Sequence, residues 1–330
     1  MKTMLLAVGG NSLIRAGEKG TTAEQLTNAR RTALEITKLV RDGYRIVLTH
    51  GNGPQVGAAL LRSERGAAQV PGHPLDVCDA CTQGEIGYLL QQSLDTEFHS
   101  AGVHVPVVSV LTQVVVSLND PAMNHPTKPI GPFYSRADAE ERRVRYGWKI
   151  VEDAARGYRR VVPSPEPLEI LELEIIRDLV KKGALVIACG GGGIPVAWKD
   201  GQLRGVEAVI DKDRASALLA SSLQVDLFVI STDADYVYLN YKKSTQVPLR
   251  YVIPSELREF NDAGHFPPGN MGPKIESVLR FLQDGGEEAI VTSDINLYRA
   301  VAGEAGTHVR PEHSRLESRR REVELSVGSR

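Results

Sequence analysis

Arg45-Ile46-Val47-Leu48-Thr49-His50-Gly51-Asn52-Gly53-Pro54 is the stretch from which the fold can be read. Arg45–Leu48 has the apolar run of a strand and stops at Thr49–Gly53. Pro54 then suits the first turn of a helix, where its missing N–H costs nothing. The same order stands upstream. Met4–Val8 is a short apolar strand ending at Gly9-Gly10-Asn11-Ser12, and Thr22-Ala23-Glu24-Gln25 has the spacing of a capping box. The helix it opens places Leu26, Ala29, Ala33, Ile36, Leu39 and Val40 at helical spacing, and Gly43 ends it. Two β-turn-α units with glycine at both turns imply an α/β protein with parallel strands joined by helices. Ligands of such sheets gather at the carboxyl ends of the strands.

Farther along, Gly66–Pro74 reads as a loop and Thr82–Leu94 as a helix. Val105–Val110 and Val114–Val116 read as strands. Residues 117–165 break the alternation with Asn119-Asp120-Pro121, Pro126-Thr127-Lys128-Pro129 and a charged helix near Ser135–Tyr146. Their composition marks an inserted, mobile subdomain rather than core. From Pro165 the alternation returns: a helix over Glu166–Lys182, a buried strand over Ala184–Ala188, then four glycines at 190–193. Arg214–Leu223, Pro254–Phe260 and Pro273–Gln283 read as helices, and Asp226–Ile230 and Ala289–Thr292 as strands. The arginine-rich end, roughly 312–330, has no apolar period and is expected to be a solvated or contact segment.

The 330 residues can bury a sizeable core. A net charge of −2 and a pI of about 6.5 provide no field that draws the whole molecule to nucleic acid or membrane. Leu5–Val8 is too short for a signal peptide, and no apolar run approaches the roughly 20 residues of a membrane span. Three cysteines are too few for a disulfide framework, so a cytoplasmic location is expected.

Val209-Ile210-Asp211-Lys212-Asp213-Arg214 and Met271-Gly272-Pro273-Lys274 each set a lysine at the start of a helix, the first after the strand-like Glu207–Ile210. The glycine turns at 9–10, 51–53 and 190–193 can be aimed at the same place. Lysines beside backbone N–H groups at helix starts suggest a site that holds phosphate, and hence small-molecule phosphoryl transfer. Blander readings exist: a surface ion pair for Lys212, a helix N-cap for Asp213, a tight turn for the glycines. Gly51–Gly57 misses the dinucleotide fingerprint because its third glycine arrives one residue late. The chain has no Gly-Lys-Ser/Thr phosphate loop and no His-Arg-Asp. Cys78-Asp79-Ala80-Cys81 has C-x-x-C form, but Cys189 and eight scattered histidines supply no second ligand pair for zinc. The pair is expected to be two small packed side chains, and no metal site is expected. Thr232–Tyr238 follows a strand end and either walls a nucleotide pocket or turns into an edge strand.

Jointly these segments resemble the carbamate kinases of the amino acid kinase family, from about residue 4 to 309. The most specific pieces are Thr49–Gly57, Pro126–Tyr134 and Arg160–Pro165; Gly190–Pro195, Gly205–Asp213 and Gly269–Lys274 complete the set. The second and third resemble carbamate kinases and not the acetylglutamate, aspartate or uridylate kinases. Two departures stand out: the family more often has Ala at Ser12, and Gly-Ala-Met at Asp79-Ala80-Cys81.

The resemblance implies an open three-layer αβα sandwich on a mainly parallel sheet, spanning 1–310. A protruding lid of about 117–160 would be inserted in it, and a charged tail would follow over 311–330. It implies a homodimer and reversible phosphoryl transfer between carbamoyl phosphate and MgADP, giving carbamate and ATP, with Mg2+ accompanying the nucleotide. By position, Lys128 would reach from the lid to carbamoyl phosphate, Lys212 and Lys274 would flank the moving phosphoryl, and Asp213 would orient them. Gly9, Gly10, Asn11, Gly51, Asn52 and Gly53 would hold carbamoyl phosphate. Gly191, Gly192, Asp211, Asp233, Tyr236, Val237, Met271 and Gly272 would lie on the nucleotide side. The alternatives are a same-fold kinase for another small carboxylate or carbamoyl-like acceptor, and a non-catalytic nucleotide or metabolite sensor.

Overall fold

In the strand Thr3–Val8, the five side chains from Met4 to Val8 are all shut away from solvent. A strand buried on both faces belongs to a sheet covered by helices on both sides. The computed structural model, which describes residues 1–9, 13–15, 17–152, 157–267, 269 and 271–311, has that arrangement. Its main sheet has eight strands in the order Tyr251–Val252, Thr307–Val309, Glu288–Ser293, Leu227–Thr232, Thr3–Val8, Arg45–His50, Leu185–Ile187, Val107–Ser109. All neighbours run parallel except Glu288–Ser293 and Thr307–Val309.

The two-residue period of the strands divides the core into two layers. Leu5, Ala7, Val47, Val186, Phe228, Ile230 and Val291 face one way, against Ala215, Leu219, Ile275, Val278 and Phe281 of the helices Lys212–Leu223 and Met271–Gln283. Met4, Leu6, Val8, Ile46, Leu48, Ile187 and Val229 face the other. There they meet Ala29, Ala33, Ile36, Ile86, Leu90 and Leu94 of the helices Thr22–Arg41 and Leu75–Ala101. This is the expected three-layer sandwich on a mainly parallel sheet. No helix among the described residues is long and apolar enough to cross a membrane.

Four local expectations are corrected by partners distant in the chain. The capping box is Thr21 with Glu24, one residue early: Glu24 Oε2 accepts from Thr21 N at 2.8 Å and Thr21 Oγ1 from Glu24 N at 3.3 Å. Gln25, read as its acidic-end partner, is instead buried, and its side-chain oxygen accepts from Gln55. The helix expected from Thr82 begins at Leu75, whose N–H donates to Glu207 Oε1 at 3.0 Å. Glu166–Lys182 splits into the strand Glu169–Ile170 and the helix Leu173–Lys181, because Glu172 accepts from Gln113 N and Nε2. Glu207–Ile210 is not a strand; Val209 N donates to Pro163 O, and the segment crosses the core singly.

Lys128–Tyr134, Tyr158–Val162 and Ile150–Glu152 pair as a separate antiparallel sheet within the insertion, beside the helix Arg136–Tyr146. Its root packs on the body: Ile130 and Val162 join Val56, Leu60, Leu75, Cys78 and Val209 in a third apolar cluster. Here Gly57 acquires its reason. A Cβ on it would stand 2.1 Å from Gly131 Cα, so helix and inserted strand touch backbone to backbone. Cys78 is buried in the helix Leu75–Ala101 and Cys81 is exposed on it, so only one of the pair packs. Residues 312–330 lie outside the described residues.

Gly57→Ala is expected to lift the insertion from the body, since neither backbone can yield. Amide hydrogen exchange should accelerate over Lys128–Val162 and stay slow in the strands Thr3–Val8 and Arg45–His50; unchanged exchange over the insertion would refute the contact's importance. A second expectation concerns acid. Burial lowers the His50 imidazole from 6.5 to about 4, with the Gly51 carbonyl opposing and Lys212 assisting. Between those values the unfolded chain binds the proton and the folded chain does not, so this contribution is complete above pH 6.5 and is lost as pH falls toward 4. His50→Gln should flatten that limb of the stability–pH curve by on the order of 3 kcal/mol, read by urea unfolding.

Candidate active site

Parallel strands end together. Thr3–Val8, Arg45–His50 and Leu227–Thr232 therefore deliver Gly9, Gly51 and Asp233 to one edge of the sheet, where a cavity of about 270 Å³ opens. The helices beginning at Gly53, Lys212 and Met271 start at this edge. Lys128, Pro129 and Ile130 come to the same cavity from the insertion.

The start of the helix Lys212–Leu223 is built by its acids. Asp211, not Asp213, is the N-cap: its Oδ1 accepts from Asp213 N at 2.9 Å and Arg214 N at 3.4 Å. Its Oδ2 is left for Lys128 Nζ, at 2.5 Å. Asp213 is thereby free for the lysines, with Oδ1 2.6 Å from Lys212 Nζ and Oδ2 2.9 Å from Lys274 Nζ. Three ammonium groups thus face two carboxylates at the mouth of the cavity.

Their environments tilt these groups in different directions. Burial works to raise the Asp213 carboxyl, but Lys212 and Lys274 outweigh it and hold the group far below the usual carboxylate range. Asp211 is likewise lowered, burial being overcome mainly by Lys128. At Lys212 burial dominates over the attraction of Asp213 and depresses the ammonium, with Lys274 adding to the effect. At Lys274 the pull of Asp213 outweighs burial and holds the ammonium up.

Of the residues expected from the sequence, the cavity brings together Lys128, Lys212, Asp213, Lys274, Gly9, Gly51, Asn52, Gly53, Gly191, Asp211 and Asp233. Gly10 and Asn11 lie outside the described residues. Asp233 and Met271 also line a smaller adjoining cavity of about 180 Å³ with Tyr238, Tyr241, His265 and Phe266. Tyr236, Val237, Gly192 and Gly272 line neither cavity. Val237 is fully buried with its N–H on Thr307 Oγ1, and Gly272 donates to Pro267 O.

The sequence reading missed Ser231 in the larger cavity and Thr82 behind it; it had Thr232 and Gly269 only within longer segments, and Asp79 only as a departure from the family. Asn52 Nδ2 donates to Asp79 Oδ1 and to Thr82 Oγ1, each at 2.8 Å. Asp79 stands between the two cysteines that had drawn attention to that segment. Its three-residue spacing from Thr82 is a one-face helical signal once the helix is begun at Leu75. Gly191, at φ +70°, closes over this amide; a Cβ there would lie 2.3 Å from Asn52 Nδ2.

The comparisons with known proteins agree with this geometry. Residues 2–293 match the model of the amino acid kinase family. The carbamate kinase of Thermococcus kodakarensis is 46% identical over 312 residues, covering 94% of this chain and 99% of that protein. That of Staphylococcus haemolyticus is 45% identical over 313 residues, covering 94% and 100%. The solved carbamate kinase from Giardia lamblia bound to AMP-PNP superposes with a TM-score of 0.88 at 41% identity, covering 94% of this chain and 99% of that one. A match this long and this similar extends over the sandwich, the insertion and the cavity between them. The chain belongs to the amino acid kinase family and, within it, to the carbamate kinases.

Proposed function

We propose that this protein transfers a phosphoryl group reversibly between carbamoyl phosphate and MgADP, forming carbamate and ATP. The observation that carries the reading is the grip of Asp213 on both Lys212 and Lys274, in a cavity to which Lys128 also comes. Phosphoryl transfer asks the protein for position and charge neutralisation more than for covalent chemistry. In the direction of ATP, the bond between phosphorus and the carbamate oxygen breaks as a β-phosphate oxygen of ADP bonds to phosphorus. Carbamate leaves as an anion, so no general acid or base is required.

The lysines then have separable roles. Lys212 and Lys274, oriented by Asp213, would neutralise the equatorial oxygens of the moving phosphoryl. Gly9, Gly51, Asn52 and Gly53, at strand ends and a helix start, would hold carbamoyl phosphate. The adjoining cavity lined by Met271, Tyr238 and Phe266 has the apolar, partly aromatic character that suits a nucleobase. Among the described residues no group of three or more His, Cys, Asp or Glu side chains could hold a metal ion. Mg2+ would enter on the nucleotide's phosphates, as part of the substrate. Residues 117–160 would act as a lid carrying Lys128 on a sheet rooted in the body by Ile130 and Val162. A homodimer is the expected form, as the family likeness implies, with a cytoplasmic location expected from the three cysteines.

The direct test is ATP formation from MgADP and carbamoyl phosphate, with spontaneous carbamoyl phosphate breakdown subtracted. Folded protein that binds ADP but makes no ATP above background would refute the proposal. Lys212→Ala should lower kcat by about 10²–10³, the scale of losing one preorganised donor. A variant keeping more than half the wild-type kcat would remove Lys212 from the chemistry. Lys128→Ala should raise KM for carbamoyl phosphate as well as lower kcat, because the lid both binds and commits substrate. Two unchanged constants would end the lid's role.

A further inference from the structure

We infer that Asp79 and Thr82 are positioning residues for substrate selection, clamping the Asn52 amide so that its oxygen faces the cavity as a hydrogen-bond acceptor for a substrate N–H. The inference deepens the carbamoyl phosphate reading and rests on it.

The orientation of the amide follows from counting donors. Thr82 Oγ1 donates its single proton to the backbone oxygen of Asp79, at 2.8 Å. Toward Asn52 it can therefore only accept, which puts the amide nitrogen, not the oxygen, against the helix Leu75–Ala101. The second amide proton goes to Asp79 Oδ1. Both Nδ2 protons are thus consumed on the helix, and the side-chain oxygen accepts from no donor among the described residues. Asn52 is 2% exposed and lines the cavity beside Gly51, Gly53 and Lys128. Gly191 leaves the room the amide needs, since a Cβ there would stand 2.3 Å from Asn52 Nδ2 and 2.9 Å from its oxygen.

Asp79 is suited to this place because burial works against its carrying a charge. It is 1% exposed, and burial raises its carboxyl well above the usual carboxylate range, against the opposing pull of the Asn52 amide. Its Oδ1 accepts from Asn52 Nδ2, and burial favours the uncharged form of the carboxyl, which does not repel an anionic substrate. Asp79 Oδ2 is buried without a partner among the described residues, so the carboxyl's hydrogen bonding is spent on Asn52.

A lone acceptor in the acyl-phosphate cavity distinguishes substrates that are otherwise alike. Carbamoyl phosphate carries an –NH2 on its acyl carbon and can satisfy the Asn52 oxygen. Acetyl phosphate carries a methyl in that place and would bury the oxygen unpaired, a penalty much larger than the gain from forming the bond.

The test measures KM for carbamoyl phosphate and inhibition of the same reaction by acetyl phosphate. Asp79→Leu and Thr82→Val should each raise KM for carbamoyl phosphate by about tenfold, the scale of one hydrogen bond. Asp79→Asn, isosteric with the neutral acid, should stay within about twofold of wild type. Inhibition by acetyl phosphate should be unaffected by these changes and should strengthen in Asn52→Ala, where the unpaired acceptor is gone. In the Asn52→Ala background, Asp79→Leu should add less than about twofold, because it acts only through that amide. Thermal unfolding checks that each variant is folded, and Asp79→Asn with Thr82→Val decides the matter if Asp79→Leu is not. The inference fails if neither apolar variant moves KM, or if Asp79→Asn is as damaging as Asp79→Leu. It also fails if acetyl phosphate weakens in parallel, or inhibits neither the wild type nor Asn52→Ala. A wild-type enzyme that makes no ATP from carbamoyl phosphate would instead strike the proposed function.

Discussion

Two ammonium groups of like charge repel each other across a small cavity, and a single carboxylate holds them there. Asp213, whose side chain is 3% exposed, accepts from Lys212 on one oxygen and from Lys274 on the other. Such a buried pairing is weak evidence for stability, because the cost of removing charges from water rivals the attraction gained. Its use is positional. The two lysines come from different helices, Lys212–Leu223 and Met271–Gln283, and meet because both helices pack on the same face of the sheet. The strand order therefore determines the distance between the charges.

The same economy runs through the neighbouring acid. Asp211 spends one oxygen on the helix N-terminus and the other on Lys128, so one side chain ties the insertion to the body at the site itself. The apolar cluster around Ile130, Val162 and Val209 and the backbone contact of Gly57 with Gly131 fasten the insertion a few residues farther on. An element whose composition reads as mobile is thus anchored where its lysine meets Asp211. On the other wall, Asn52 is held from behind by Asp79 and Thr82 and from the side by Gly191.

Much of this was legible in the chain. The glycine turns after Met4–Val8 and Arg45–Leu48, with Pro54 behind the second, announce parallel β-turn-α units, and the lysines at 212 and 274 were expected at one site and do line one cavity. The acids were harder to assign. Asp211 and Asp213 are both good N-caps by type, and which one caps depends on where the helix starts, a matter of one residue. Asp79 stood out as a departure from the family, but its contact with Asn52 was not legible, because the helix was read as beginning at Thr82. The true start at Leu75 relies on Glu207, a residue remote in sequence.

The sequence by itself determined the order of strands and helices, the two-sided burial of the sheet, and which residues carry charge and flexibility at its edge. These follow from periodicity and residue type, which act over a few neighbours. Only the tertiary structure decided which acid pairs with which lysine, and that Gly57 serves a chain crossing rather than a nucleotide. It alone also decided that the Asn52 amide nitrogen meets Asp79 and Thr82. Each of these depends on a partner tens of residues away, and hydrogen bonds and close contacts reach only a few ångströms. They exist only once the sheet has brought those partners together.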